Sequence, residues 1–423
     1  MVRASEALMD RAPVVVPLIA AAGMAVRYQV AGGVSVCLLI AIVLAPVWIG
    51  SLRAYRGMRV FVLLGVGAAI WGTLGSLLDP VRTFSASLFV VETSTFLAMV
   101  GAVGTLLWAR QCVGSSWMVI AFAIGGLVNV ALTGGNPVNL WKYSLSIPIT
   151  LLVVALAEHF GGRIAEIAAV AAIAVISGLN DSRSFTAFLL LALMIAVWQL
   201  TGRREGAAAK PLRVLIGAGL LGLAVFNLIQ ALLLEGVLGS ASQQRSQAQM
   251  DATGSLITGG RPEMGASFAL LVRQPWGYGA GSLPTSTDVW VAKSGMSELN
   301  YDPNNGYVEV FMFGGRFEVH SVLGDLWLRF GPLGAAVAIF ICVYAVMAVA
   351  KHVSLRSASA VLVLLTVLTL WDTLFSPFLS SYRTMALVLA LAAAPVLDRL
   401  PIADTASPSP RFLARLTGGP PSV

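Results

Sequence analysis

The chain has 423 residues, of which 57% are hydrophobic and only 11% charged, and its mean hydropathy is +0.85. A soluble domain carries about 25% charged residues, so this composition excludes an ordinary water-soluble protein. The formal charge of +7 does not require nucleic acid as a partner, because basic loops on one face of a membrane also produce it. Of the three cysteines, Cys37, Cys112 and Cys342, none lies in the one long hydrophilic loop, so neither a disulfide framework nor a cysteine metal site is expected.

Apolar runs on the order of 17–25 residues recur along the chain, a length that crosses about 30 Å of hydrocarbon. They lack the alternation of barrel strands, so they predict an all-α polytopic membrane protein with about twelve transmembrane helices. The predicted spans lie near 13–26, 30–50, 60–78, 85–107, 116–132, 143–158, 164–180, 183–200, 212–234, 322–349, 357–375 and 380–397. The chain then divides into spans one to nine (1–234), a long loop (235–321), spans ten to twelve (322–400) and a disordered cytoplasmic tail (401–423).

The basic residues between spans predict the orientation. With the N-terminus inside, 16 of them are cytoplasmic: Arg3, Arg11, Arg53, Arg56, Arg59, Arg110, Arg163, Arg203, Arg204, Lys210, Arg213, Lys351, Arg356, Arg399, Arg411 and Arg415. Only 5 fall in the short outer loops: Arg27, Arg82, Lys142, Arg183 and Arg383. This positive-inside bias places the loop 235–321 on the outer face of a cytoplasmic (inner) membrane.

The long loop is predicted to contain short amphipathic helices that cap the bundle. Residues 240–251 are polar and favour a helix or a mobile strip. Pro262 and Glu263 suit the first turn of a helix whose apolar face includes Phe268. The glycine-rich segment 277–281 predicts a tight turn, and a second apolar stretch runs from 305 to 313.

Three polar features are predicted at helix starts on the outer face: Asp181-Ser182-Arg183, Arg261, and His320-Ser321. Exposed amides and the positive end of the dipole make a helix start an anion site, and an arginine adds a bidentate phosphate donor. Asp181 or Ser182 is expected to cap the eighth span. The dipole is expected to lower the pKa of the His320 imidazole, keeping it neutral and able to accept a proton.

Each feature also has a simpler interpretation. Arg183 suits an interfacial arginine that extends its charge to water, and Arg261 suits a solvated loop charge. His320 suits a capping residue; the other two histidines, His159 and His352, fall on the cytoplasmic side.

The order of these motifs resembles the O-antigen ligase and polymerase family. The segment HSVLGDLWLRFGPLG, from His320, is similar to that family's entry into its tenth span. NDSRSFTAFLLL resembles its Ser-Arg helix start, and GGRPEMGASFALLVRQPWGYGAGS its loop arginine followed by Pro-x-Gly-x-Gly. The likeness covers roughly residues 175–350. One position departs from the ligase pattern, since Gly265 stands four residues after Arg261 where that pattern has leucine.

The resemblance implies a GT-C-type glycosyltransferase that transfers a glycan from undecaprenyl pyrophosphate to an acceptor hydroxyl of a glycan or lipid-glycan, with inversion and without metal or cofactor. Carried over by motif, Arg183 and Arg261 hold the pyrophosphate and His320 activates the acceptor. Ser182, Ser321 and Tyr278 are further candidates for substrate binding. Whether such an enzyme ligates or polymerises stays open.

Three alternatives remain. A transporter or flippase of lipid-linked glycan predicts charged sites near the bilayer midplane, and the clearest midspan acid is Glu92, for which the sequence shows no partner. A metal-dependent lipid-linked glycosyltransferase predicts acids in the first outer loop, which here is about residues 27–29 and has none. A purely structural assembly subunit is the third.

Overall fold

The computed structural model describes residues 2–200, 211–236, 243–244, 246–247, 250–251 and 261–396. These residues form helices joined by turns, and no β-strand occurs among them. The predicted tail 401–423 and most of the predicted polar segment 240–251 lie outside the described residues.

The helices that precede the long loop are α1 (Val2–Gly23), α2 (Val36–Val43), α3 (Ala45–Ser51), α4 (Met58–Leu77), α5 (Ala86–Val113), α6 (Ser115–Thr133), α7 (Ser146–Leu179), α8 (Arg183–Trp198) and α9 (Pro211–Leu234). Within the loop lie α10 (Glu263–Arg273) and α11 (Ser286–Ser297). The chain continues through α12 (Val322–Ser354), α13 (Ala360–Phe375) and α14 (Phe378–Ala392).

The protein is an all-α, multi-pass membrane protein. In the described part of the chain, six helices are long and apolar enough to cross a bilayer, or seven if the helix pair Val36–Val43 and Ala45–Ala54, bent by 74°, is counted as one span. This is fewer than the twelve predicted spans, because four further apolar helices have only 10–17 residues: Ala12–Gly23, Arg183–Trp198, Ala360–Phe375 and Phe378–Ala392. A further reason is that the sixth and seventh predicted spans form one helical run.

That run, Trp141–Leu179, folds back on itself at Gly162, where the backbone leaves the helical conformation (φ 68°, ψ −159°). The Nδ2 of Asn139, just before the run, donates a hydrogen bond of 2.9 Å to the carbonyl oxygen of Asn180, just after it. A straight helix of this length would be about 58 Å long at 1.5 Å per residue. The two halves are therefore antiparallel, as two neighbouring spans would be.

Contacts between helix ends join residues that the charge pattern predicts on the same face. Arg163, which is predicted to be cytoplasmic, donates to the carbonyl oxygen of Ala358 at 2.8 Å, and Ala358 lies at the cytoplasmic end of the predicted span 357–375. At the other end, Lys142 approaches Asp181 at 3.8 Å, and both are predicted to face outward. Helix ends that are predicted on the same face of the membrane therefore lie at the same end of the bundle.

The described part of the loop has a small hydrophobic core of its own. Side chains from α10, α11 and the segment after them, among them Leu270, Met296 and Phe317, pack together and meet the bundle at Leu328 of α12. The α11 helix was not predicted from the sequence. The stretch predicted near 305–313 contains a π-helical turn, Val308–Met312.

The departure from the ligase pattern at Gly265 has a packing reason. Here α10 crosses α11, and Gly265 faces Gly295 backbone to backbone. A Cβ atom on either glycine would collide with the carbonyl oxygen of the other. No leucine fits at this crossing.

A buried ion pair fastens the loop to the bundle. Glu92 of α5 accepts a hydrogen bond of 2.8 Å from Arg329 Nε of α12, and its other oxygen accepts from the backbone N–H of Gly281 at 2.8 Å. Arg329 also donates to the carbonyl oxygen of Phe317 at 2.5 Å. The expectation that Glu92 lacks a partner is wrong, because Arg329 approaches it from a helix far along the chain.

Asp325, one turn earlier on α12, extends this network. Its carboxylate accepts backbone hydrogen bonds of 2.9 Å each from Val319 in the loop and Phe378 at the start of α14. It also lies 3.7 Å from Arg329. The segment that carries His320 is therefore fixed to three helices immediately beside that residue.

Candidate functional site

Two helix starts at the loop end of the bundle share one local geometry. Asp181 (φ 53°) and His320 (φ 50°) both have left-handed backbones, and each is followed by a serine at the N-cap of α8 or α12. L-residues other than glycine rarely adopt this conformation, and it is commonest for Asn, Asp and His. The backbone turns sharply at both positions before the helix begins.

The two caps differ in chemistry. Ser321 accepts a hydrogen bond of 3.1 Å from the backbone N–H of Gly324, the geometry of a helix cap. The predicted cap at Asp181 or Ser182 is wrong, since Ser182 occupies the N-cap position without a capping hydrogen bond. The Asp181 carboxylate instead faces two cations, Lys142 at 3.8 Å and Arg183 at 3.7 Å.

Arg183 and Arg261 line the same cavity, which has a volume of about 730 Å³. Arg183 also donates to Ser246 Oγ at 3.2 Å, and the Arg261 guanidinium lies 5.7 Å from the centre of the Trp371 ring. Ser182 is part of the same lining. The two predicted arginines and one of the predicted serines are thus brought together.

One side of this cavity is basic and the rest is largely apolar. Among the described residues, Lys142 joins the two arginines in the lining, against one acid, Asp372. Apolar side chains from α8, α9 and α13 form the remaining wall, including Phe185, Phe188, Leu191, Phe226, Val367 and Leu368. Such a space suits a ligand with an anionic head and a hydrocarbon chain.

His320 belongs to a hydrogen-bonded cluster with Tyr307 and Glu263. The Tyr307 hydroxyl donates to Glu263 Oε1 at 2.5 Å and lies 3.0 Å from His320 Nδ1. Because the hydroxyl has one proton and directs it to the carboxylate, its oxygen must accept the Nδ1 proton of the imidazole. In the neutral histidine this arrangement leaves the Nε2 lone pair free to accept a proton.

The predicted direction of the His320 pKa is wrong. Burial favours the neutral imidazole, but the nearby Glu263 carboxylate, together with Asp325 and Glu318, outweighs burial and raises the pKa of His320 above its ordinary value. The distances are 3.7 Å from Nδ1 to Glu263 and 3.8 Å from Nε2 to Glu318. Full carboxylate charges at this range outweigh the partial charge of a helix dipole.

The pKa values of Glu263 and Tyr307, the two partners of His320, are also shifted. Burial opposes ionisation of Glu263, yet the nearby His320 imidazole and the hydrogen bond from Tyr307 outweigh it and lower the pKa of that carboxyl. Burial and the neighbouring Glu263 carboxylate raise the pKa of Tyr307, so the phenol keeps its proton. The cluster therefore couples an ionised acid to an imidazole that binds its proton more tightly than usual.

His320 is not among the residues that line the 730 Å³ cavity. Two links connect it to that space. The Ser321 hydroxyl donates to the carbonyl oxygen of Thr373 at 2.9 Å, next to Asp372 in the cavity wall. The charge of Arg261 also acts electrostatically on Tyr307. The histidine cluster thus lies beside the arginine cavity.

Two of the predicted substrate ligands make structural contacts. Ser321 uses its hydroxyl for the helix cap and for Thr373. Tyr278 is fully buried, donates its hydroxyl to the carbonyl oxygen of Leu270 at 3.0 Å, and lies under the guanidinium of Arg82 at 4.2 Å. It anchors the glycine-rich turn in the loop core, away from the cavity.

Lys142, Glu263, Tyr307 and Asp372 are site residues that were not identified from the sequence. Glu263 had been assigned only to a helix start, and Tyr307 lies within an apolar stretch. In the part of the chain that the structure describes, no group of three or more His, Cys, Asp or Glu side chains is placed to hold a metal ion. No protein-family model, curated protein or solved structure matches the chain.

Proposed function

We propose that the protein is a GT-C-type membrane glycosyltransferase, a ligase or polymerase, that acts on lipid-linked glycan. It transfers the glycan from undecaprenyl pyrophosphate to an acceptor hydroxyl of a glycan or lipid-glycan, with inversion and without a metal ion. The resemblance around Arg183, Arg261 and His320 is the origin of this proposal.

The observation that carries it is the cavity shared by Arg183 and Arg261. The two residues come from different helix starts, and a pyrophosphate offers oxygens to two bidentate guanidinium groups at once. The apolar wall of the same cavity suits the first isoprene units of the lipid. A soluble nucleotide-sugar donor would have no use for that wall.

The proposed reaction is a single displacement. The acceptor oxygen attacks the anomeric carbon, the bond from that carbon to the pyrophosphate oxygen breaks, and the electron pair leaves with undecaprenyl pyrophosphate. His320 Nε2 takes the hydroxyl proton, while Arg183 and Arg261 stabilise the charge that builds on the leaving group. The products are the glycosylated acceptor, the lipid pyrophosphate and a protonated histidine.

The same proposal includes twelve membrane crossings. Seven come from the six long helices, because Trp141–Leu179 counts twice, one comes from the bent pair, and four come from the shorter apolar helices. With the N-terminus inside, the cavity and the loop face outward from the cytoplasmic membrane. Undecaprenyl-linked glycans would meet the site on that side.

The transporter alternative has less support. It predicts charged sites near the bilayer midplane, and the clearest acid within a span, Glu92, is bound by Arg329 and by the backbone of Gly281. An ion pair that also holds the loop in place suits a structural role.

The test is lipid-pyrophosphate binding and single-turnover glycan transfer by purified variants. Arg183→Ala and Arg261→Ala should weaken both, with only partial rescue by lysine, because a point charge cannot reproduce the bidentate fork. His320→Ala should lower turnover by about 10²–10⁴ while binding stays near wild type. Arg213→Ala, at an exposed position of α9, is the matched control and should change neither.

Near-normal transfer by His320→Ala would rule out an essential base. Unchanged lipid-pyrophosphate binding by both arginine variants would show that the cavity does not bind the pyrophosphate, and the proposal would lose its support.

A further inference from the structure

A second cavity, of about 490 Å³, adjoins the first at the same end of the bundle. The two share a wall that includes Lys142, Ser146, Asp372 and Ser376. Its other sides come from the ends of α1, α6 and α14. The mechanism proposed above makes no use of it.

Two arginines that no site motif singled out line this cavity, Arg27 after α1 and Arg383 in α14. Among the described residues, neither guanidinium lies within salt-bridge distance of a carboxylate. Each lies close enough to the other for electrostatic repulsion. With Lys142, three cations face a single acid, Asp372, in the described part of the lining.

Contacts within the protein use only some of the N–H groups of these two arginines. Arg383 Nη1 donates to the carbonyl oxygen of Ala25 near the end of α1, and Arg27 Nη2 donates to that of Leu379 at 3.0 Å. The Nε of Arg383 is inaccessible to solvent and has no hydrogen-bond partner among the described residues. The carbonyl end of α1, near Ala25, supplies only about half a negative charge. That partial charge does not balance two guanidinium ions. Among the described residues, each guanidinium is bonded to a carbonyl oxygen through one Nη atom, so further N–H donors of both arginines remain at the cavity and suit an anionic ligand.

The rest of the lining is unusually polar for a membrane bundle. It carries amides and hydroxyls: Asn129, Thr133, Asn136, Ser144, Ser381 and Thr384. Asn129 accepts the backbone N–H of Arg27 through Oδ1 at 2.6 Å, which leaves its amide donors for other partners. Side chains that both donate and accept match the hydroxyls of a sugar ring.

We propose that the second cavity binds an acidic saccharide, with its carboxylate or phosphate at Arg27 and Arg383 and its ring hydroxyls at the amides and serines. Because the second cavity shares a wall with the arginine cavity, we assign this sugar to the acceptor. That assignment rests on the proposed function. Binding of an acidic sugar in the second cavity does not depend on the proposed function.

The test is equilibrium binding to the purified full chain. The probes are a disaccharide containing glucuronic acid, its glucose counterpart, a sugar phosphate and inorganic phosphate. The uronate disaccharide should bind about tenfold or more tightly than the neutral one, since charged hydrogen bonds are lost in the latter. Arg27→Gln should remove this preference, and Arg27→Lys should restore part of it. The sugar phosphate measures whether phosphate replaces carboxylate.

Arg27 is exposed to the cavity, so the variant is expected to fold, and unchanged binding of lipid pyrophosphate verifies this. Arg183→Ala is the reciprocal control, because it should weaken lipid-pyrophosphate binding and leave the uronate disaccharide unaffected.

Equal binding of the acidic and neutral disaccharides, or an unchanged preference in Arg27→Gln, would overturn the proposal. Inorganic phosphate binding as tightly as the uronate disaccharide would overturn its saccharide part. Absence of glycan transfer with the preference intact would refute the glycosyltransferase and leave the acidic-saccharide site standing.

Discussion

Replacing Tyr307 with phenylalanine tests whether His320 is oriented as a base. The change removes only the hydroxyl that donates to Glu263 at 2.5 Å and lies 3.0 Å from His320 Nδ1. Without it, Nδ1 faces the carboxylate at 3.7 Å, beyond hydrogen-bond distance. Nothing then fixes which ring nitrogen carries the proton.

The size of the effect follows from the bonds that are lost. A hydrogen bond to a charged group contributes about 1.5–3 kcal/mol, and 1.36 kcal/mol is a factor of ten in rate. Single-turnover transfer by Tyr307→Phe should therefore fall about 10- to 150-fold, less than the largest loss expected for His320→Ala. Lipid-pyrophosphate binding should stay near wild type, because Tyr307 does not line the arginine cavity.

The assay is rapid-quench transfer from prebound donor at saturating acceptor. Tyr301→Phe is the matched control, since the Tyr301 hydroxyl accepts from Asn305 at 2.8 Å and has no contact with His320. A rate for Tyr307→Phe within twofold of wild type would refute the orienting role. An equal loss in both variants would assign the effect to loop stability.

Three further predictions concern pH, metal ions and topology. His320 must be neutral to accept a proton and its pKa is raised mainly by Glu263, so turnover should rise with pH through that raised pKa. Glu263→Gln should move this rise to lower pH, and an unmoved pH–rate profile would contradict the pairing. Transfer should survive excess EDTA; loss that Mg²⁺ or Mn²⁺ restores would favour the metal-dependent alternative. A cysteine at Ser297 should react with an impermeant thiol reagent from outside and one at Ala208 should not, while the reverse pattern would invert the topology.

Local patterns in the sequence predicted the parts of the structure that local physics determines. The helices α4 and α6 begin and end within two residues of predicted spans, because the length of an apolar run is itself the constraint, whereas α5 extends six residues beyond the end of its predicted span. The turn 277–281 has positive φ at Gly277, Gly279 and Gly281, as its glycines indicated.

The parts that depend on distant contacts were missed. Tyr307 meets Glu263 across 44 positions, and nothing in the apolar stretch around it indicates such a partner. The pKa of His320 was predicted in the wrong direction because the helix dipole can be read from the sequence, whereas the three surrounding carboxylates converge only in the fold. Arg27 and Arg383 are 356 positions apart in the sequence, and no sequence pattern predicts that they lie together.

The ion pair between Glu92 and Arg329 also constrains how the protein is made. The two residues are 237 positions apart, a delay of roughly 10–50 s at ribosomal speed. An unpaired acid at the centre of a span costs about 2.5–3.5 kcal/mol on insertion, and a smaller penalty of the same kind applies to Glu92, seven residues into α5, until its partner is made. Its permanent counter-ion arrives only with α12, after the whole loop 235–321 has been synthesised. Closing this pair is therefore a late step of biogenesis, in which the newly made loop is joined to a helix from the first third of the chain.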